Sequence, residues 1–353
     1  MNRQDPLHAA RMTAYASVGT RLSLLSDRRI GAAVAGAAPL GTGIGGRSAE
    51  LDVGGTRVFV KRIPLADVEL RPEHVRSTAN LFGLPMHYQY GVGSAGFGAW
   101  RELAVHIMTT HWVLADRYEG FPLMYHWRVL PDSPPAHFAD EFGGIEGAVA
   151  HWEGSPAVRG RLEAVARSTS SLVLFLEYLP QTLAGLLDGH RAEGGPDGGD
   201  GSPYVWVEEA LARGTAFLRS QGLVHFDAHF GNILTDGSRL YFADFGLALA
   251  SGFELAPDEA GFLAGHLGYD RWHTASFLLH HLLRSLPGGE RGTAAREAFL
   301  RAWTEGRRPD GVPPRIAALI DRHARSTVVI DGFHRRLLDE SKRTPFPGAL
   351  LGP

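Results

Sequence analysis

Hydrophobic and polar positions alternate most clearly in two short runs, residues 49–53 (AELDV) and 57–61 (RVFVK), on either side of Gly54-Gly55. Alternation around a Gly-Gly turn predicts a β-hairpin. Upstream, residues 1–38 read as a polar and then Ala/Gly-rich extension, with a short helix over 21–30 that Gly31 would stop. Downstream, residues 64–98 are long and irregular, with Gly83, Pro85 and the cluster Gly91-Val92-Gly93-Ser94-Ala95-Gly96. The spacing then predicts a helix from Ala99 to about Arg117. Two apolar, strand-like runs follow at 121–130 and 171–178, separated by a polar insert containing Pro134-Pro135.

The stretch 188–202 (DGHRAEGGPDGGDGS) is too rich in Gly and Asp to bury apolar area and reads as a mobile loop. Ser202-Pro203 opens a helix with a cap residue followed by proline, and that helix runs to about Gln221, where Gly222 suits its stop. A short strand pair is expected at 232–234 and 240–242. From Asp258 onward the pattern is helical, most apolar over 271–286. The first half is therefore mixed and strand-rich and the second mainly helical, an α+β expectation. No repeat of 20–50 residues is apparent.

Composition narrows the chemistry. The 353 residues include no cysteine, which removes disulfides, Cys-zinc sites and thiol catalysis. With 35 Lys+Arg against 38 Asp+Glu, the net charge of −3 offers no basic stripe for nucleic acid. No apolar run approaches the ~18 residues of a membrane span, and the N-terminus has no secretory apolar region. A cytoplasmic protein is expected. At roughly 150 residues per domain, the length fits two domains or one two-lobed unit. The 17 histidines lack H-E-x-x-H spacing, and no G-x-S-x-G elbow exists, so metalloprotease and serine hydrolase readings fail.

Five features line up in order. Gly41-Thr42-Gly43-Ile44-Gly45-Gly46 fits G-x-G-x-x-G just before the hairpin. Lys61 ends its second strand. Glu102 lies one turn into the following helix. His225-Phe226-Asp227-Ala228-His229-Phe230-Gly231-Asn232 follows the capped helix, and Asp244-Phe245-Gly246 ends the short strand pair. The second G-x-G-x-x-G, at 91–96, has no strand leading into it and reads as a structural or docking loop.

With these motifs the chain resembles the protein kinase superfamily over roughly residues 39–290: a Gly-rich loop, V-x-V-K, H-x-D-x-x-x-x-N and D-F-G. The run Leu176-Glu177-Tyr178-Leu179 is similar to the family's connection between lobes. The resemblance implies a two-lobed kinase-like fold, α+β in class. Residues 1–38 would be an N-terminal extension. Residues 39–179 would form the strand-rich N-lobe, with insertions at about 64–98 and 131–170. Residues 180–353 would form the helical C-lobe and tail. It also implies ATP and Mg²⁺ as cofactors. Gly41, Gly43, Gly46, Lys61, Glu177 and Leu179 would lie along the nucleotide. Glycines let backbone N–H groups approach phosphates because no Cβ intervenes. Lys61 would hold the α/β-phosphates if a carboxylate fixes it, Glu102 first and Glu119 as the alternative. Asn232 and Asp244 would ligate hard Mg²⁺ through oxygen. Asp227 would orient the attacking hydroxyl or take its proton.

Phe226 replaces the Arg of the usual H-R-D, which removes the cation that would dock a phosphorylated activation loop. Ala256-Pro257-Asp258-Glu259 is only a distorted A-P-E, and residues 246–270 carry few hydroxyls, so activity is not expected to depend on phosphorylation there. Asp270 resembles the family aspartate that braces the catalytic-loop backbone, and His225 reads as a structural brace. His229, within H-x-D-x-H-x-G-N, is similar to aminoglycoside and choline phosphotransferases. The leading expectation is a Ser/Thr protein kinase acting on a protein hydroxyl. A small-molecule O-phosphotransferase comes second, and a nucleotide-binding pseudokinase third.

Overall fold

The alternating segment becomes the middle of a five-stranded antiparallel sheet in the computed structural model, which describes residues 6–43, 46–192, 202–286 and 292–352. The strands are β1 (Ala38–Gly43), β2 (Gly46–Val53), β3 (Thr56–Leu65), β4 (Met124–Pro131) and β5 (Ser170–Glu177), in the order β1-β2-β3-β5-β4. The fold is α+β, and the chain divides into two compact units. The first comprises Met1–Tyr178 with Asp244–Ala248 and Phe253–Asp258, and the second holds the rest.

In the first unit, successive side chains of β3 alternate between sheet faces. Helices α1 (Pro6–Ser23) and α2 (Asp27–Ala35) precede the sheet, and Ile63 and Leu65 join Leu172, Leu174 and Leu176 in a core covered by Ala99, Trp100 and Leu103 of helix α3 (Ala99–Leu114). Lys61 has the same parity as Ile63 and Leu65, so the pleat sends it to the face that α3 covers. It pairs with Ser48 on β2 and Leu174 on β5.

The N-terminal segment is not a separate extension. α1 buries Arg11, Val18 and Leu22 on one face and packs on β4. Arg11 donates to both carboxylate oxygens of Glu177, at 2.8 and 2.7 Å from Nε and Nη2, and to the carbonyl of Phe121 at 2.6 Å. The single helix expected at 21–30 is broken at Leu24–Ser26, because Ser26 Oγ caps a new helix by accepting from Arg29 N. Gly31 therefore sits inside α2 and stops nothing. The strand expected from Phe121 starts only at Met124.

The two irregular stretches of the sequence, 64–98 and 131–170, also differ from expectation. They pack together. Leu84, Tyr88 and Phe97 from the first meet Phe138, Trp152, Val158 and Leu162 from the second in a core of their own. The second stretch contains helices α4 (Ile145–His151) and α5 (Pro156–Ala166). Gly93, at φ +91°, lies where a Cβ would strike the Phe142 ring, so the second glycine motif is a packing device.

The second unit is mainly helical: α6 (Leu183–Ala192), α7 (Pro203–Ser220), α8 (Pro257–His266), α9 (Tyr269–Ser285), α10 (Thr293–Thr304), α11 (Pro314–Asp339) and α12 (Gly348–Leu351). Its short strands are β6 (Gln181–Thr182), β7 (Leu223–Val224), β8 (Ile233–Thr235), β9 (Leu240–Phe242) and β10 (Leu249–Ala250), in sheets β6-β8-β9 and β10-β7. The loop expected over 188–202 is helical to Ala192, where Leu183 and Leu187 are buried one turn apart, and 193–201 lie outside the described residues.

The helices of this unit enclose histidines that remain neutral. Burial pulls His266, His281 and His334 down to about 4. His273, with no hydrogen-bond partner for either ring nitrogen, is held well below its usual range, again by burial first. Unfolded, these rings take a proton near ~6.5. Between ~6.5 and ~4 the unfolded chain then binds more protons, so stability falls as pH falls, by on the order of 3 kcal/mol for each fully depressed ring. Asp270 acts oppositely: burial raises its carboxyl to about 7, so it regains stability across the same window. Four bases against one acid leave a net acid lability. Tm should fall as pH is lowered through this window, and His273→Phe should flatten that fall. An unaltered slope in the variant would rule His273 out as a contributor.

Candidate functional site

The first unit brings three of the sequence-selected groups together. Lys61 Nζ donates to Glu102 Oε1 at 2.7 Å and to Asp244 Oδ1 at 2.8 Å. Glu102 is 2% exposed and Lys61 8%, whereas the Asp244 side chain is 44% exposed. Burial opposes the charge on Lys61, but the carboxylates of Asp244 and Glu102 outweigh it and hold the ammonium above the ordinary lysine range. Of the two carboxylates considered for Lys61, the one that meets it is Glu102, not Glu119.

Asp244 adopts a left-handed backbone at φ +61°, which few side chains other than Asp and Asn take readily. This turn aims the carboxylate at Lys61 and sends Phe245 inward, fully buried beside Phe121 and His106. His106 is itself buried, one turn beyond Glu102, with Nε2 3.7 Å from Glu102 Oε1. No motif in the sequence points to His106.

Of the loop glycines, Gly41 pairs with Ser48, and Gly43 with Gly46 across the turn between β1 and β2. Ile44 and Gly45 lie outside the described residues. Gly46, at φ +131°, would place a Cβ 2.2 Å from the Arg62 carbonyl oxygen, so glycine is required there by packing as well. Glu177 is committed elsewhere: besides Arg11, its carboxylate accepts from Leu123 N at 3.0 Å. Leu179 is the first residue of the second unit.

In the second unit, the loop 225–232 is fixed by backbone bonds. Asp270, at the start of α9, accepts from His225 N at 2.7 Å and Phe226 N at 3.0 Å. Fully buried His225 accepts from Asp227 N at Nδ1, which leaves Nε2 to donate to the Ala243 carbonyl at 2.9 Å. Phe226 turns into the core at φ +63°, against Phe262 and Tyr269. Asp227, with its side chain 24% exposed, accepts from Asn232 Nδ2 at 3.0 Å. That bond fixes the amide so that its oxygen is the atom left for a cation. His229 Nδ1 accepts from Gly231 N, and its Nε2 lies 4.0 Å from Asp227 Oδ2. A Cβ on Gly231 would strike the His229 ring at 2.8 Å.

Asp244 in the first unit and Asn232 in the second each present an oxygen donor, the kind of ligand that hard cations such as Mg²⁺ take. Among the described residues, no group of three or more His, Asp or Glu side chains is arranged to hold a metal ion unaided. No helix among them is long and apolar enough to cross a membrane.

One signal for Lys61 went unread in the sequence. Only two of the 35 basic side chains are lysines, Lys61 and Lys342. The second is buried and donates to the Leu337 carbonyl at 2.8 Å, near the end of α11. In an arginine-rich chain, lysine stands where a compact ammonium is wanted. The chain matches no protein-family model, and no curated protein is significantly similar to it.

Proposed function

We propose that the protein is an ATP-dependent phosphotransferase with a two-lobed, protein-kinase-like fold, transferring the γ-phosphate to a protein Ser or Thr hydroxyl in the cytoplasm. The observation that carries this reading is Lys61 held between Glu102 and Asp244, at 2.7 and 2.8 Å, in a chain that otherwise uses arginine. Phosphoryl transfer asks a protein mainly for positioned charge. On this reading Lys61 holds the α/β-phosphates, with its ammonium fixed by the buried Glu102 carboxylate at 2.7 Å. Asp244 and Asn232 are the ligands for Mg²⁺, which, when bound with ATP, would neutralise charge on the phosphates. Gly41, Gly43 and Gly46 line the phosphates with backbone N–H groups, and Glu177 and Leu179 flank the base. Asp227 orients the acceptor hydroxyl and takes its proton. The tight turn at Phe226, braced internally by Asp270, supports activity without activation-segment phosphorylation.

A second reading, a small-molecule O-phosphotransferase, is favoured by His229, whose Nε2 lies 4.0 Å from Asp227 Oδ2 within the H-x-D-x-H-x-G-N pattern that is similar to aminoglycoside and choline phosphotransferases. Incubation of the purified full chain with γ-labelled ATP and Mg²⁺ separates the possibilities. Label in protein, the chain itself included, is the expected result, while label in small hydroxyl compounds would favour the second reading. ATP binding without any transfer would indicate a nucleotide-binding scaffold.

A further inference from the structure

The stretches 64–98 and 131–170, which the proposed chemistry does not use, converge on α3. Its N-cap residue is Gly98, which has no side chain to satisfy the first backbone N–H groups. Glu69 does so from outside: Oε1 accepts from Ala99 N at 2.9 Å, and the Glu69 carbonyl accepts from Trp100 Nε1 at 2.8 Å. The other carboxylate oxygen accepts from Ala66 N and from Arg161 Nη1, both at 2.9 Å. Glu69 is 1% and Arg161 2% exposed, so this ion pair is fully withdrawn from water. A negative group at a helix N-terminus is stabilised by the helix dipole. Here it also fixes the first turn of the helix, and Glu102 lies in that turn.

The same block holds the other partner of Lys61. Gln89 Nε2 donates to the Leu247 carbonyl at 2.9 Å, and Gly96, at φ +70°, approaches so closely that a Cβ would lie 2.6 Å from the Gly246 carbonyl oxygen. Arg101 Nε donates to the Thr78 carbonyl, whose residue in turn accepts from Glu254 N through Oγ1 at 2.9 Å. Both carboxylates that grip Lys61 are thus tied to one accessory core.

We infer that Glu69 and Arg161 are a positioning pair, which holds α3 so that Glu102 stays on Lys61 with no covalent modification of the chain. For its effect on turnover the inference rests on the phosphotransferase reading; for the geometry it does not.

The test uses the full chain and Glu69→Gln, which keeps the size and removes the charge. Lys61 and Lys342 are the only lysines, so acylation by an amine-reactive ester can be followed at each by peptide mass spectrometry. Glu69→Gln should raise the acylation rate of Lys61 several-fold, with Lys342 as the internal reference, and should lower kcat about tenfold or more. In a double-mutant cycle, Glu69→Gln should add little to Glu102→Gln, because the two act through one contact. A merely structural residue would give multiplicative losses and leave the labelling ratio unchanged, and that result overturns the proposal. If Glu69→Gln does not fold, Arg161→Lys retains a cation beside Glu69 and should give a weaker version of both effects; wild-type behaviour there overturns the proposal too. A wild-type chain that neither binds nor hydrolyses ATP would remove the phosphotransferase reading alone, since the labelling result still decides whether Glu69 acts on the Lys61 pair.

Discussion

Asp244→Asn should fold like the wild type and lose turnover by about 10³-fold, the scale on which removal of one preorganised charge from a reacting centre is felt. Asparagine tolerates the left-handed backbone that Asp244 adopts at φ +61°, and its amide oxygen still accepts from Lys61. What disappears is the carboxylate charge. That weakens the proposed Mg²⁺ ligand and removes the largest attraction on the Lys61 ammonium, leaving burial opposed by Glu102 alone. Asp244→Ala should lose turnover at least as far, and stability as well, by roughly 1–2 kcal/mol for an ordinary residue in the left-handed region. Comparing the two by thermal melting and single-turnover transfer separates backbone from charge. Near-normal transfer in Asp244→Asn would remove this residue from the chemistry.

The sequence made some of this arrangement legible and hid the rest for physical reasons. β3 was readable as a strand from its run of β-branched and aromatic residues after a Gly-Gly turn. The parity that delivers Lys61 to the α3 face, however, is that of Ile63 and Leu65, opposite to that of the equally buried Val58 and Val60. Glu102 was readable only as one of two carboxylates, since a contact across 41 positions leaves no local trace. The accessory core was unreadable: Tyr88, Phe97 and Trp152 sit in segments without helical or strand period, and their partners lie in a second such segment. Long irregular stretches carry no pattern until they meet each other. The N-terminal helix escaped notice because its buried face uses an arginine and only two aliphatic residues, and what secures Arg11 is Glu177, far along the chain. Nothing in the sequence marked the Glu177 side chain as taken up by Arg11, which leaves only its backbone to face a nucleotide on the proposed reading. The glycines were ambiguous for a related reason. Gly46, Gly93 and Gly96 each relieve a collision with a distant group, and the motif pattern cannot distinguish that from room for a phosphate.

Asp227→Asn should separate binding from transfer. The substitution keeps the side chain's size and an oxygen that can accept from Asn232 Nδ2, as Asp227 does at 3.0 Å. The loop is otherwise held by groups the substitution does not touch, namely Asp270 on two backbone N–H groups and His225 on the Ala243 carbonyl. The fold and the melting temperature should therefore change little. The neutral amide cannot take the proton of an attacking hydroxyl, and a lost general base lowers turnover by about 10²–10⁴-fold. Nucleotide affinity should survive, because on the proposed reading Lys61, Asp244, Asn232 and the glycine turn carry the phosphates and metal. Calorimetric ATP affinity and the single-turnover rate, measured on the same preparation, give the two numbers. Affinity and rate falling together would make Asp227 a brace for the loop, like His225. A near-normal rate would move the acceptor-orienting role to another residue. Retained affinity with a rate lower by two orders of magnitude or more is the expected result, because the amide keeps the bond to Asn232 and loses the charge that the proton transfer needs.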